Sequence, residues 1–239
     1  IGMENQRFYS AYGVTKGKIF SVPYAVDNNR FMEAAEKLRD KKKKKETRQK
    51  SGISKDAIVV MTSGKLIEKK RPMDLLRAFE LLMSRHKLSV PCCLLFLGEG
   101  HLRGEIEAYV KEKKIKNVTI AGFKNQTELP EYYALADIFV LPSQEGETWG
   151  LVVNEAMCFG LPVIVSDMVG SGSDLVREGE NGYVFPVGDI KNLAEAIEKL
   201  ISNPEMRIRF GKKSKEIVSD YSFAVDVEGV RAALQSVHK

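Results

Sequence analysis

Residues 142–157 read Pro142-Ser143-Gln144-Glu145-Gly146-Glu147-Thr148-Trp149-Gly150-Leu151-Val152-Val153-Asn154-Glu155-Ala156-Met157. They follow the apolar run Ile138-Phe139-Val140-Leu141, so a strand ends, an acidic glycine-containing loop follows, and a helix begins near Gly150. In an open parallel sheet such a loop stands outside the carboxyl end of its strand, where ligands bind. The helix start offers unpaired N–H groups and a positive dipole end suited to phosphate. Glu155 lies inside this helix among Leu151, Val152, Val153, Ala156 and Met157. A helical glutamate usually faces water, but these neighbours leave little polar surface around it. Its carboxylate is expected in a cleft. With Glu147 before the helix start and Glu155 after it, the stretch suits a ligand with a phosphate in its middle and polyols on both sides.

Working outward, short apolar and β-branched runs recur at 57–62, 92–97, 118–121, 137–141 and 162–166, with a shorter one at 183–185. Nearly every position in these runs is apolar, as expected of strands covered on both faces. Between them lie helical stripes: Leu75, Leu76, Phe79, Leu82 and Met83; Ile106, Tyr109 and Val110; Leu193, Ala196, Ile197 and Leu200. Alternating strands and helices predict an α/β, Rossmann-like, doubly wound parallel sheet. Asp189 is placed to cap the helix that starts at Ile190, and Asn203-Pro204 to close it and open the next. Residues 1–31 differ. Phe8, Tyr9 and Tyr12 fit the last turns of a helix ended by Gly13, and 19–26 reads as a strand.

Three more loops stand at strand ends. Ser63-Gly64-Lys65 leads through Lys70 to Pro72, a basic mouth suited to a diphosphate or simply a solvated loop. Gly98-Glu99-Gly100-His101 with Gly104 makes a GxGxxxG pattern, weak as a dinucleotide fingerprint because it follows the second strand and no well-placed acid completes it. It reads as a tight turn, with His101 at the surface. Gly122-Phe123 offers either a backbone edge and apolar face for a nucleobase or ordinary core packing; the sequence leaves both open.

Composition sets outer limits. The chain has 239 residues, 44% hydrophobic and 29% charged, with a net charge of +5. That suits a folded α/β protein. Its apolar runs are too short to span a bilayer. Three cysteines make no disulfide framework and suit a reducing compartment, so a cytoplasmic protein is expected. The run Lys41-Lys42-Lys43-Lys44-Lys45 reads as a solvated helix end or loop, with anionic lipid headgroups as the alternative contact. No zinc-finger spacing or aromatic-rich RNA-binding pattern accompanies it, which speaks against nucleic acid.

Glu147-x7-Glu155 within PSQEGETWGLVVNEAMCFGLPVIVSD resembles the EX7E signature of retaining glycosyltransferases of the GT-B fold, group 1, family 4 (GT4). Gly64-Lys65 with Lys70 resembles their diphosphate site, and Gly98-Glu99-Gly100 their glycine turn. Tyr132-Tyr133-Ala134-Leu135-Ala136-Asp137 is similar to the helix before their fourth strand, Glu180-Asn181-Gly182-Tyr183 to the following turn, and Val22-Pro23-Tyr24-Ala25-Val26-Asp27 to their interdomain linker. The resemblance implies a donor-binding C-terminal domain at 32–220, a tail of a preceding domain and linker at 1–31, and a crossover helix at 221–239. It further implies that Glu155 holds ribose and that Glu147, the catalytic residue, holds the donor sugar. Lys65, Lys70 and the N–H groups of Gly150, Leu151 and Val152 would meet the diphosphate, with Gly122 and Phe123 at the base. The donor is expected to be a UDP- or GDP-sugar, with no divalent metal required. The acceptor is expected on the preceding domain, so this part alone would be inactive, and peripheral contact of the full enzyme with the membrane is expected. Lys65 stands where arginine is commoner, and Asp174 where many members carry glutamate. Two other functions stay open at this point: a non-catalytic nucleotide-sugar-binding module, and a nicotinamide dehydrogenase domain suggested by the glycine pattern.

Overall fold

The computed structural model describes residues 1–85 and 90–237. Six strands, β1 (Ile58–Ser63), β2 (Cys92–Leu97), β3 (Val118–Ile120), β4 (Ile138–Leu141), β5 (Val163–Ser166) and β6 (Gly182–Phe185), form one sheet in the order β3-β2-β1-β4-β5-β6. All pairings are parallel. Each predicted strand of the sheet lies within one residue of its observed bounds. In chain order the helices among the described residues are α1 (Met3–Ala11), α2 (Asn28–Lys37), α3 (Lys41–Lys50), α4 (Pro72–Arg85), α5 (Arg103–Glu112) and α6 (Leu129–Leu135). They continue as α7 (Leu151–Cys158), α8 (Gly172–Leu175), α9 (Ile190–Ser202), α10 (Pro204–Ser219) and α11 (Phe223–Val237).

The continuous apolar runs are explained by two cores. Val60, Leu94, Phe96, Ile138, Val140 and Ile164 face α4, α5 and α9. Val59, Met61, Leu95, Phe139 and Val163 face α2, α6, α7 and the last turns of α10. Successive strand residues thus enter opposite cores, and neither face of the sheet is left to water. Asp189 and Asn203 cap α9 and α10 through the backbone N–H groups of Asn192 and Met206. Cys92, Cys93 and Cys158 are buried free thiols, and burial pushes Cys92 up to about 11 and Cys158 to about 12. No helix among the described residues is long and apolar enough to cross a membrane.

Two expectations are corrected. Residues 19–26 make no strand; they run as coil, with a single bridge from Val26 to Ser222. Pro23 has no N–H for a ladder, and the segment lies against α11, where a Cβ on Gly229 would collide with the Ser21 carbonyl oxygen. The lysine run forms α3, and it is not wholly solvated. Lys44 Nζ donates to the Ala136 carbonyl at 3.0 Å and Asp137 Oδ1 at 3.1 Å. The side chains of Lys41 and Lys43, and residues 238–239 of the expected crossover helix, lie outside the described residues.

Asp137 is the centre of a small ionic cluster where β4 begins. Buried Arg48 donates to its Oδ2 at 2.6 Å and to the Ala57 carbonyl at 2.8 Å, and the Val59 N–H donates to the same Oδ2 at 2.8 Å. Burial pushes the Asp137 carboxyl up, but Lys44, Arg48 and the Val59 N–H outweigh it and hold the group below the usual aspartate value. A carboxyl lowered on folding adds stability above its unfolded value, near 3.9, and loses it as pH falls through the folded one. We therefore expect Asp137→Asn to cost about 3 kcal/mol in urea unfolding at pH 7, because it leaves buried Arg48 and half-buried Lys44 without their counter-charge. The gap from wild type should close only below about pH 4. A loss under about 1 kcal/mol at pH 7 would show the cluster to be energetically idle.

Candidate functional site

The strand order reverses between β1 and β4, and the loops leaving their carboxyl ends diverge to open a crevice. On one side lies the loop after β1, residues 63–71; on the other lies the acidic loop 142–150. Lys70 on the first forms an ion pair with Glu147 on the second, with the Lys70 side chain 21% and the Glu147 side chain 9% exposed. Arg71 links the same loops through Nη1 to Gln144 Oε1 at 2.9 Å, and the Gln144 N–H donates to the Lys69 carbonyl at 2.9 Å. The crevice is therefore bridged at three levels.

The acidic loop is held in place from the other side too. The Gly170 N–H donates to the Glu147 carbonyl at 2.9 Å, and the Ser171 N–H to the Trp149 carbonyl at 3.1 Å. Gly150 then takes φ +88°, and a Cβ there would lie 2.6 Å from Leu141 Cδ2. Only glycine satisfies both conditions at low cost, so the chain turns sharply into α7 at this residue. The N–H groups of Leu151 and Val152 accordingly open the helix with no hydrogen bond recorded among the described residues.

Glu155 is buried, 8% exposed, in keeping with its apolar neighbours. Its Oε2 accepts from the Tyr133 hydroxyl at 2.6 Å. Burial pushes its carboxyl up, and the Tyr133 O–H and the Arg30 charge pull it only part of the way back. The residue between helix start and carboxylate also has a task. Trp149 Nε1 donates to Asn154 Oδ1 at 2.9 Å, and Asn154 Nδ2 donates to the Tyr24 carbonyl at 3.2 Å.

Of the residues singled out in the sequence, Lys70 and Glu147 meet directly. Gly64, at φ +144°, lies beneath the Lys70 stem, and Gly150 adjoins Glu147. Lys65 is exposed on the same loop, and Leu151 is exposed at the mouth of α7. Gly122 and Phe123 stand apart at the end of β3. Phe123 is 73% exposed, which removes the core-packing alternative. The Gly122 carbonyl accepts from the Gly98 N–H at 2.9 Å. Gly98 itself has φ +142° and so little room that a Cβ would strike the Gly64 carbonyl. The glycine pattern after β2 is thus a turn packed against the loop after β1, and His101 at its end is exposed and paired with Glu68. Sequence reasoning gave no site role to Tyr133, Arg71 or Asn154. An aromatic residue in a short helix reads as core, and nothing local shows that its hydroxyl reaches a carboxylate 22 positions away.

Comparison with known proteins agrees with this fold. The family model described as Glycosyl transferases group 1 matches residues 43–217. Spore coat protein SA of Bacillus subtilis (strain 168) is 31% identical over 217 residues, 87% of this chain and 55% of that protein. A solved structure of a Staphylococcus aureus TarM variant, in complex with fondaparinux, alpha-GlcNAc-glycerol and UDP, superposes with a TM-score of 0.67 at 25% identity. That match covers 74% of this chain and 35% of TarM. The C-terminal domain of a group 1 family glycosyl transferase (LpcC) from Francisella tularensis shares the fold, with a TM-score of 0.64 at 19% identity over 84% of this chain and 97% of that domain. The chain spans about half or less of the length of the curated relatives it matches. Since the matched region takes in the whole sheet and both loops of the crevice, this chain belongs to the group 1 glycosyl transferases.

Proposed function

We propose that the chain is the donor-binding domain of a retaining, family 4 glycosyltransferase, and that the crevice between the loops after β1 and β4 receives the donor nucleotide-sugar. The observation that carries this reading is the Lys70–Glu147 pair across the crevice, with Glu155 on the following helix. A diphosphate set on the free N–H groups of Leu151 and Val152 would have a helix N-terminus beneath it and Lys65 and Lys70 beside it. Glu155 then faces the ribose and Glu147 the transferred sugar. Gly122 and Phe123, at the end of β3, take the base.

Chemically, retaining transfer breaks the bond between the sugar's anomeric carbon and the diphosphate oxygen, and negative charge gathers on the departing diphosphate. Preorganised donors aimed at that charge are the largest electrostatic contribution such a site can make. Lys65, Lys70 and the helix start supply them, so the proposal needs no divalent metal. Glu147 acts as the catalytic carboxylate by holding the sugar's hydroxyls as the bond lengthens. UDP is the natural first nucleotide to test, since the TarM relative is solved with it. A GDP-sugar is the alternative donor.

The acceptor site, in this reading, belongs to a preceding domain outside these 239 residues. Transfer requires both halves closed about donor and acceptor, so the chain alone binds donor and turns over little. Residues 1–31 would then be domain tail and linker. The helix α11 would cross back to the missing half. Phe223, Val227, Val230 and Leu234 on α11 and Phe8, Tyr9 and Tyr12 on α1 are exposed apolar groups available for that contact. A cytoplasmic enzyme, with peripheral membrane contact through the whole protein, fits the same proposal.

Calorimetry with UDP tests the ribose assignment. Glu155→Gln is expected to weaken UDP by about 1–3 kcal/mol through loss of a charge-assisted bond; unchanged affinity would remove Glu155 from the site. Glu147→Gln, by releasing Lys70, is expected to leave sugar-free UDP bound at least as well while abolishing turnover in the full-length protein. Lys65→Ala and Lys70→Ala should weaken UDP far more than uridine, with the difference shrinking as salt is raised. Equal losses for both ligands would mean that neither lysine meets the diphosphate. Wild-type affinity should be the same with EDTA present. Comparing hydrogen exchange in this chain and in the full-length protein tests the split site: α11 should gain protection, and transferase activity should appear, only in the latter. An isolated chain with full transferase activity would refute the division.

A further inference from the structure

We infer that Tyr133 is a positioning residue for the nucleotide: its hydroxyl holds the Glu155 carboxylate turned so that one oxygen stays free for the ribose. The inference rests on the ribose role proposed for Glu155 above. Tyr133 is completely buried, and its hydroxyl is the hydrogen-bond donor recorded for Glu155, on Oε2 at 2.6 Å. That leaves Oε1 as the oxygen free to accept from a ligand.

The tyrosine has almost no freedom to do otherwise. Its ring lies nearly parallel to Phe159, with centroids 5.6 Å apart, and meets Phe31 edge-on at 6.3 Å and Phe139 at 6.0 Å. Rings from α2, from β4 and from just beyond α7 thus fix the hydroxyl over one carboxylate oxygen. Such confinement exceeds what packing alone requires, because phenylalanine would fill the same space without a polar atom to satisfy. The hydroxyl that tyrosine adds lies beside the Ser63 side chain and donates to the Glu155 carboxylate.

The electrostatics agree with the geometry. Burial drives the Tyr133 phenol well above its ordinary value, so it remains an O–H donor throughout the working range. Burial also pushes Glu155 up, toward protonation, and the groups that oppose this are the Tyr133 hydroxyl on α6 and the Arg30 charge on α2. On α7 itself the Cys158 thiol, raised to about 12, is neutral and contributes nothing to that opposition. Removing the hydroxyl leaves Arg30 alone against the burial, and the carboxyl titrates at a higher pH.

The test is Tyr133→Phe, which keeps the ring and its three aromatic contacts. UDP should bind about three- to tenfold more weakly at pH 7.5, the effect of losing one bond to a charged group at a site it orients. The pH dependence is read with uridine, by NMR titration, because uridine carries no phosphate to titrate. In the variant the pH below which uridine affinity falls should move upward. The thermal midpoint of the variant, measured alongside, should stay near wild type and so exclude misfolding. In a Glu155→Gln background the same substitution should change little, since an amide has no charge to keep. If Glu155→Gln binds UDP and uridine like wild type, the ribose assignment falls and this inference with it. If Glu155→Gln is impaired while Tyr133→Phe matches wild type in affinity and pH profile, only the role of Tyr133 is overturned.

Discussion

The centre of the sheet depends on a ladder only two residue pairs long. β1 and β4 register through Val60 with Ile138 and Met61 with Phe139, whereas β1 and β2 align over six pairs. So short a ladder does not by itself hold two strands whose loops must separate. It is extended at its amino end by Asp137, whose N–H donates to the Val59 carbonyl and whose carboxylate accepts from the Val59 N–H. At the carboxyl end the Lys70–Glu147 pair spans the opening. One carboxylate thus locks the strands together, and another bridges the gap that their divergence creates.

The two glutamates of the crevice handle their charge in different ways. Glu147 is matched by a lysine on the opposite loop, so the crevice carries a mutually neutralised pair. Glu155 has no such cation in contact among the described residues. It is sheltered by burial, by one phenolic hydroxyl and by the more distant Arg30. A ligand that brings phosphate to Lys70 must compete with Glu147 for it. A ligand that brings hydroxyl groups to Glu147 weakens that competition. On the proposed assignment, diphosphate and sugar would help each other to bind if they arrived on one molecule, whereas an isolated phosphate would meet a site already neutralised.

Much of this was legible in the sequence because the relevant signals are local. β2 is apolar at every position, Gly150 marks the turn into α7, and the neighbours of Glu155 exclude it from open solvent. What could not be read is contact between distant segments. The lysine run looked solvated because nothing near it in sequence shows that Lys44 meets Asp137, 93 positions on. Residues 19–26 have the composition of a strand, but Pro23 spoils the ladder and the segment packs on α11 instead. Tyr133 reads as core, which it is, while its hydroxyl serves a carboxylate. Burial and chemistry coincide in one residue, and periodicity reports only the first.

Asn154 gives the stretch from Glu147 to Glu155 a mechanical side. Its amide accepts from the Trp149 indole within the acidic segment and donates to the backbone of Tyr24 far up the chain. Asn154 itself is fully buried, and so is its bond to Trp149, while the bond to Tyr24 is half-buried. A shift in the path of residue 24 must either break that bond or pull on α7 and its neighbouring carboxylate. The amide works as a linchpin. The geometry of the crevice and the course of the segment that enters the domain are then a single variable, and motion in one is felt as strain in the other.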